Sequence, residues 1–431
     1  MSYPNVSDFP GLIEYLKQYA ALAHEHGAEG VEAVLDDARA SLRNAARQLQ
    51  ELPGDTELTS REPDALSDIL AARPAGPRRI STAVPEDYSD RLAGAFLARS
   101  AGCTLGAGVE GWSIEGMKNL ARELGTPYPP VDYWDYLPDP YQLRYGFSPR
   151  FEYTRPALNG IPVDDDLTYT ILGLLIVEDH GPSFTVKEVA EAWQRYLPYA
   201  ATAERVALDN LRNGVSATAA AVVDNPYREW IGADIRSDPW GYMAPGWPER
   251  AAEMAYHDAY ISHRRTGIYG EMYFSAAIAA AFAVDDPVEA LRIGLSEIPA
   301  ECGLAHAVRW ALEEAPRIRS YRDARDAVEE RFPDMSAVHT TNNACLTIWG
   351  ITIGGTDLTK VIGETVAMGM DNDCTAATAG SIVGAVVGRS GLSEHWYEPF
   401  GDLMQTYILG HPRLSISDVL ARFEAQARRV H

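Results

Sequence analysis

Three stretches rich in glycine and alanine, 94–107, 276–283 and 376–388, constrain the fold of this chain most. Side chains that small let helix backbones approach closely. Segments apolar nearly all round must also be buried. Period-2 alternation is scarce, whereas apolar residues recur at helical spacing. Val186, Val189, Ala190, Trp193 and Leu197 form one stripe, and Val288, Leu291, Leu295 and Ile298 another. The second opens on Asp286-Pro287, an N-cap followed by proline at the first helical position. The pattern predicts an all-α fold.

At the N-terminal end, Leu12, Leu16 and Tyr19 share one helical face, and Val31, Leu35, Ala38, Leu42, Ala45 and Leu49 share another. Pro53, Gly54, Pro63, Pro74, Gly76, Pro77 and Pro85 then interrupt any helix. The expected division is a helical extension with a proline-rich linker over 1–85 and a single larger domain over 86–431. Residues 125–160, rich in Pro, Tyr, Trp and Gly, read as one long irregular loop, a kind that is often functional. Its Tyr133, Trp134 and Tyr136 either stack on a base or pack the loop down.

The net charge of −24 excludes the broad basic footprint of a nucleic-acid binder. It leaves room for one small phosphorylated ligand met by cations or backbone N–H groups. The four cysteines show no C-x-x-C spacing, which argues against a zinc site or disulfide framework and for a reducing cytoplasm. The longest apolar run, Ala276–Val284, falls far short of the ~20 residues that cross a bilayer. No basic-then-apolar leader opens the sequence.

Two acidic sites carry the chemistry. Asp164-Asp165-Asp166 leads into the apolar run Ile171–Val177, and Asp371-Asn372-Asp373-Cys374-Thr375 leads into another. Aspartates at a helix start can simply cap free N–H groups. One cap needs one carboxylate, however, and three together repel unless something positive sits there. Five carboxylates near a core imply a cation, and hard oxygen donors point to Mg²⁺, Mn²⁺ or Ca²⁺ rather than zinc. Two such ions would polarise ribose hydroxyls or activate water.

At this point the chain resembles the ADP-ribosylglycohydrolases, which include ADP-ribosylarginine hydrolases and dinitrogenase-reductase-activating glycohydrolases. Three motifs carry the resemblance over about residues 90–390. The first runs from Asp90-Arg91-Leu92-Ala93-Gly94-Ala95 through Ala101-Gly102-Cys103-Thr104-Leu105-Gly106-Ala107-Gly108-Val109-Glu110. The second is 164–166 followed by Tyr169-Thr170. The third is Asp371-x-Asp373 followed by Thr375-Ala376-Ala377-x-x-Gly380.

The resemblance implies a compact multi-helix orthogonal bundle around a dinuclear Mg²⁺ centre, with Mn²⁺ as a substitute. The ribose hydroxyls of ADP-ribose would sit on the ions. Metal ligands would come from Asp164, Asp165, Asp166, Asp371, Asp373, Cys374 and Thr375, and Glu110 and Asp165 would be catalytic. If Tyr169-Thr170 matches the family's Met-Thr, Asp164 replaces a threonine ligand; if Asp164-Asp165 are the family's pair, Val163 does. The first register keeps an oxygen ligand and is preferred. Cys374 stands where the family has threonine, and Cys103 where many members have aspartate. A thiol is a poor Mg²⁺ ligand, so both changes shift the expected substrate.

Two further polar stretches are candidate substrate contacts. Ser262-His263 leads to Thr266-Gly267-Ile268-Tyr269-Gly270, where helix-start glycines either open N–H groups to a diphosphate or form a plain turn. The polar groups of His339-Thr340-Thr341-Asn342-Asn343, with Asn342 and Asn343 as the candidates, either touch ligand or cap a helix. The expected activity is hydrolysis of the N-glycosidic bond of an ADP-ribosylated protein or small molecule. The alternatives are hydrolysis of another ribosyl or N-glycoside small molecule, and a non-catalytic ADP-ribose binder.

Overall fold

The computed structural model describes residues 3–431. Two compact units form, Met1–Ser60 and Arg61–His431. In the first, α1 (Phe9–Glu25) and α2 (Val31–Glu51) make a hairpin whose turn has Gly27 and Gly30 at positive φ. Leu16, Leu35 and Ala38 share the groove between these helices, as their spacing predicts.

The larger unit is built on α3 (Tyr88–Ala107), α4 (Asp165–His180), α5 (Thr266–Ala281), α6 (Thr340–Gly354) and α7 (Asn372–Val387), with shorter helices around them. Among the described residues the strands are two antiparallel pairs of two residues each; the first joins β1 (Leu143–Arg144) to β2 (Ser148–Pro149). The fold is all-α, and every residue of α5 is buried. Helices α3 and α7 run antiparallel at very short range. A Cβ on Gly94 would lie 2.6 Å from the Gly384 carbonyl oxygen, and one on Gly380 would lie 2.6 Å from that of Ala98. Asp286 caps the helix Pro287–Gly294 by accepting from Val288 N–H at 2.9 Å.

The compact units part at Ser60/Arg61, whereas the proline spacing places the linker's end at Pro85. In between, Glu62 accepts from Arg265 Nε (2.7 Å) and Gly303 N–H (2.8 Å), and Arg78 pairs with the buried Glu297 at 3.0 Å. Proline stops a helix, but it does not stop an extended segment from packing against the body.

The long loop leads from the helix Ile114–Leu124 to α4. Tyr133 donates to the Trp396 carbonyl (2.6 Å) and Trp134 Nε1 to that of Leu105 (3.2 Å), so both pack the loop down. Tyr136 stays exposed.

Candidate metal centre

At the start of α4, Asp164 is extended and its Oδ1 accepts from Asp166 N–H at 3.1 Å. One aspartate of three therefore caps the helix, and the other two are surplus to that task. At the start of α7, Asp371 makes no side-chain cap bond. The sharp turn before it holds Gly369 and Met370 at positive φ (70° and 62°), and the Met370 carbonyl accepts from Gly111 N–H at 3.1 Å. Such a φ is strained for methionine and persists only where the surroundings over-determine it.

The two acidic stretches meet in space. Ligand atoms of Asp166, Asp373 and Cys374 lie within 4.8 Å of one another, as do those of Glu110, Asp371 and Asp373, and those of Cys103, Asp164 and Asp166. Cys374 Sγ is 3.0 Å from Asp371 Oδ1 and 3.3 Å from Asp166 Oδ2. A Cβ on Gly106 would lie 2.5 Å from Asp373 Cα; its absence lets the end of α3 bring Cys103 and Glu110 to both stretches. Thr375 is buried beside the cluster, but its hydroxyl donates to the Asp371 backbone carbonyl at 3.0 Å.

Two arginines and a tyrosine complete the site, and the sequence reading named none of them. Arg99 is wholly buried behind Asp166. It pairs with Asp238 at 2.6 Å and donates to the Asp166 carbonyl at 2.9 Å. Arg144 enters from the β1–β2 hairpin. Its Nη2 reaches Asp164 Oδ2 (3.0 Å) and Asp373 Oδ2 (3.1 Å), and its Nη1 reaches Glu110 Oε2 (2.8 Å). Tyr145 Oη donates to Asp165 Oδ1 at 2.8 Å. The positive charge demanded by three adjacent aspartates is thus partly supplied by the protein itself. For Arg144 and Tyr145 the advance signal is the length and aromatic content of the 125–160 loop; Arg99, within α3, has none.

Burial dominates the electrostatics. It raises Asp164 to about 6 against the opposing Arg144 charge, and raises Asp371 to about 7 with the help of Glu110. Asp166 and Asp373 are pushed well above the ordinary carboxylate range, by burial first and then by neighbouring acids. Burial and these acids also push the Cys374 thiol up, so it stays protonated. Asp166 Oδ1 and Asp373 Oδ1 are buried without a hydrogen-bond partner. Buried carboxylate oxygens normally have partners. Asp166 Oδ1 lies 3.7 Å from Arg99 Nη2, so the oxygen left bare is Asp373 Oδ1; with Asp166 Oδ2 and Asp371 close by, this carboxylate-dominated donor set fits a hard divalent ion. The place between Asp164, Asp373 and Glu110 is filled by the Arg144 guanidinium.

A cleft of about 150 Å³ opens onto this cluster, lined by Glu110, Asp165, Tyr169, Glu204, Trp230, Asp371, Asp373 and Cys374 among others. Glu204 is buried against Arg236 at 2.7 Å; burial raises it to about 7 despite that arginine. The sequence reading missed Glu204, which lies in an ordinary amphipathic helix.

The six residues expected to contact substrate lie elsewhere, because the protein's own backbone uses them. Gly267 packs against the Arg228 carbonyl and His263, and Gly270 against Thr340. Buried His263 meets Ser262 Oγ at 2.8 Å, and Tyr269 donates to the Pro63 carbonyl at 2.6 Å. Asn342 donates to the Ser336 carbonyl (2.8 Å) and Asn343 to that of Ala337 (2.8 Å). None of the six lines the cleft.

Residues 84–428 match the model of the ADP-ribosylglycohydrolase family, and the chain belongs to that family. A solved structure titled "ADP-ribosylglycohydrolase-related protein complex" is similar at a TM-score of 0.53 and 18% identity, covering 80% of this chain and 98% of that one; at that identity it shows the shared fold. No curated protein matches the chain by sequence. No helix among the described residues is long and apolar enough to cross a membrane.

Proposed function

We propose that this chain hydrolyses the N-glycosidic bond of an ADP-ribosylated substrate in the cytoplasm with the help of bound Mg²⁺, for which Mn²⁺ can substitute. The observation that carries the reading is the meeting of buried Asp166 with Asp371, Asp373 and Cys374, the last three of which line the cleft.

Asp166, Asp371 and Asp373 would hold a divalent ion, which would supply Lewis-acid charge at an oxygen of the bound ribosyl group or of water. The protein's own groups do the rest. Glu110 stands exposed at the cleft mouth; Arg144 holds its Oε2, which leaves Oε1 to give or take the proton at the scissile bond. Asp165, held by Tyr145, presents its carboxylate to the same cleft and orients the attacking water.

A second reading, a smaller ribosyl or N-glycoside substrate, is favoured by the cleft's volume. About 150 Å³ lies below the roughly 300–1,000 Å³ of sites that enclose drug-sized ligands. Rates on ADP-ribosyl-arginine, ADP-ribosyl-serine and free ribosides, with and without EDTA, test both readings. Turnover confined to free ribosides selects the second. Full rates in excess EDTA overturn the metal-dependent hydrolase altogether, and tight ADP-ribose binding with no turnover makes the chain a binder instead.

A further inference from the structure

The hairpin that carries Arg144 is built to deliver it. Tyr145 and Gly146 both have positive φ (54° and 80°), and Phe147 N–H donates to the Arg144 carbonyl at 3.1 Å, which closes a tight turn. Positive φ is unfavourable for tyrosine. Here the Tyr145 side chain is pinned at the acidic cluster. Its Oη donates to Asp165 Oδ1, lies 3.2 Å from Asp164 Oδ2, and accepts from Asp165 N–H at 3.2 Å. Its ring packs against Phe147, Tyr199 and Tyr407. The turn therefore holds Arg144 in one place, with its side chain 14% exposed.

The guanidinium there answers to three acids, one backbone carbonyl and the Tyr145 hydroxyl, which accepts from Nη2 at 3.0 Å. Nη2 spans Asp164 Oδ2 and Asp373 Oδ2, at 3.0 and 3.1 Å, and Nη1 takes Glu110 Oε2 and the Ala107 carbonyl. A magnesium ion on those same two aspartate oxygens needs contacts of about 2.1 Å. The guanidinium already sits against both oxygens with its own positive charge, and like charges at that range repel an ion drawn to the same place. Arg144 makes no bond to the two oxygens that accept no hydrogen bond: Asp373 Oδ1, and Asp166 Oδ1, which lies 3.7 Å from Arg99 Nη2.

We propose that Arg144 is a built-in cation that takes the place of one divalent ion. In the resting protein a single ion binds between Asp166, Asp371 and Asp373. A second ion binds only when the hairpin withdraws Arg144 from Asp164 and Asp373. The inference rests on the metal-dependent reading above and replaces the expected pair of ions with one ion and one guanidinium.

The test counts bound Mn²⁺ on the full-length chain by equilibrium dialysis and elemental analysis, for the wild type and for Arg144→Gln. The expected result is one ion in the wild type. In the variant a second ion binds, at least tenfold more tightly than any second ion in the wild type. Low-temperature electron paramagnetic resonance should show an isolated Mn²⁺ spectrum for the wild type and a spin-coupled pair for the variant.

If Arg144→Gln does not fold, Arg144→Lys serves. It keeps one charge but cannot span Glu110 and both aspartates, so second-site affinity should rise above the wild type. Equal, non-zero stoichiometry and affinity in all forms overturns the inference and leaves the metal-dependent hydrolase standing. No bound ion in any form overturns both.

Discussion

The Cys374 thiol lies 3.3 Å from Asp166 Oδ2, joining residues 208 positions apart in the chain. It stands among oxygens that otherwise suit a hard cation, and it stays protonated beside them. A neutral thiol gives Mg²⁺ little, and a hydroxyl gives more. Cys374→Thr should therefore bind Mg²⁺ more tightly, by roughly tenfold, which calorimetry would register. Unchanged or weaker binding would take Cys374 out of the coordination shell.

Asp371 and Asp373 supply the carboxylates of α7 to the cleft floor. Asp371 caps nothing, so its removal costs the helix no cap bond. Asp371→Ala and Asp373→Ala should each lower kcat/KM by more than about a hundredfold, the scale of losing a metal's transition-state charge stabilisation. Circular dichroism should change little. Near-wild-type rates in both variants would remove these residues from the mechanism.

The pH dependence of metal-free stability follows from the buried acids. In the unfolded chain aspartate titrates at about 3.9; in the folded protein Asp164 does so at about 6 and Asp371 at about 7. Between those limits the folded state binds more protons, so stability falls as pH rises. With respect to these groups, the metal-free melting temperature should be higher near pH 5 than near pH 8. Metal binding needs ionised ligands, so the increment from added Mg²⁺ should grow through the same range. A metal-free melting temperature that climbs from pH 5 to 8 would contradict the assignment.

Gly106 touches the Asp373 backbone so closely that no side chain fits. Gly106→Ala should destabilise the protein by about 1–3 kcal/mol through overpacking, and should weaken metal binding as α7 is pushed away. Gly11, inside α1 with open space around it, is the contrast. There Gly→Ala should stabilise by roughly 0.5–1 kcal/mol. Denaturant midpoints of the two variants check both signs, and a tolerated Gly106→Ala would refute the close-contact argument.

Arg99 is a buried cation whose main partner, Asp238, sits 2.6 Å away. Arg99→Met would strand Asp238 and remove a support for the Asp166 backbone. A cost of about 3–5 kcal/mol is expected from breaking a buried pair. The double variant Arg99→Met/Asp238→Asn should recover part of it. If the double variant is no more stable than the single one, the pair is not the source of the cost.

The sequence by itself determined that the chain is helical, which stretches form its buried centre, and which acids start α4 and α7. These are local properties, written as periodicity, small-residue runs and carboxylates before apolar segments. It grouped Asp164, Asp165, Asp166, Asp371, Asp373, Cys374 and Thr375 as candidate ligands because three motifs resemble those of one family. Tertiary structure alone decided what neutralises them. Arg144, Tyr145 and Arg99 lie 71 residues or fewer from their partners on or just before α4, yet beyond the length and aromatic content of the loop that holds the first two, nothing in their own neighbourhoods marks them. A guanidinium in a loop carries no signature of the carboxylate it will meet. The glycines of 267–270 and the asparagines of 342–343 lie outside the cleft for the same reason. Whether a polar group faces a cleft or a backbone carbonyl depends on which distant segment packs over it, and only the closed chain settles that.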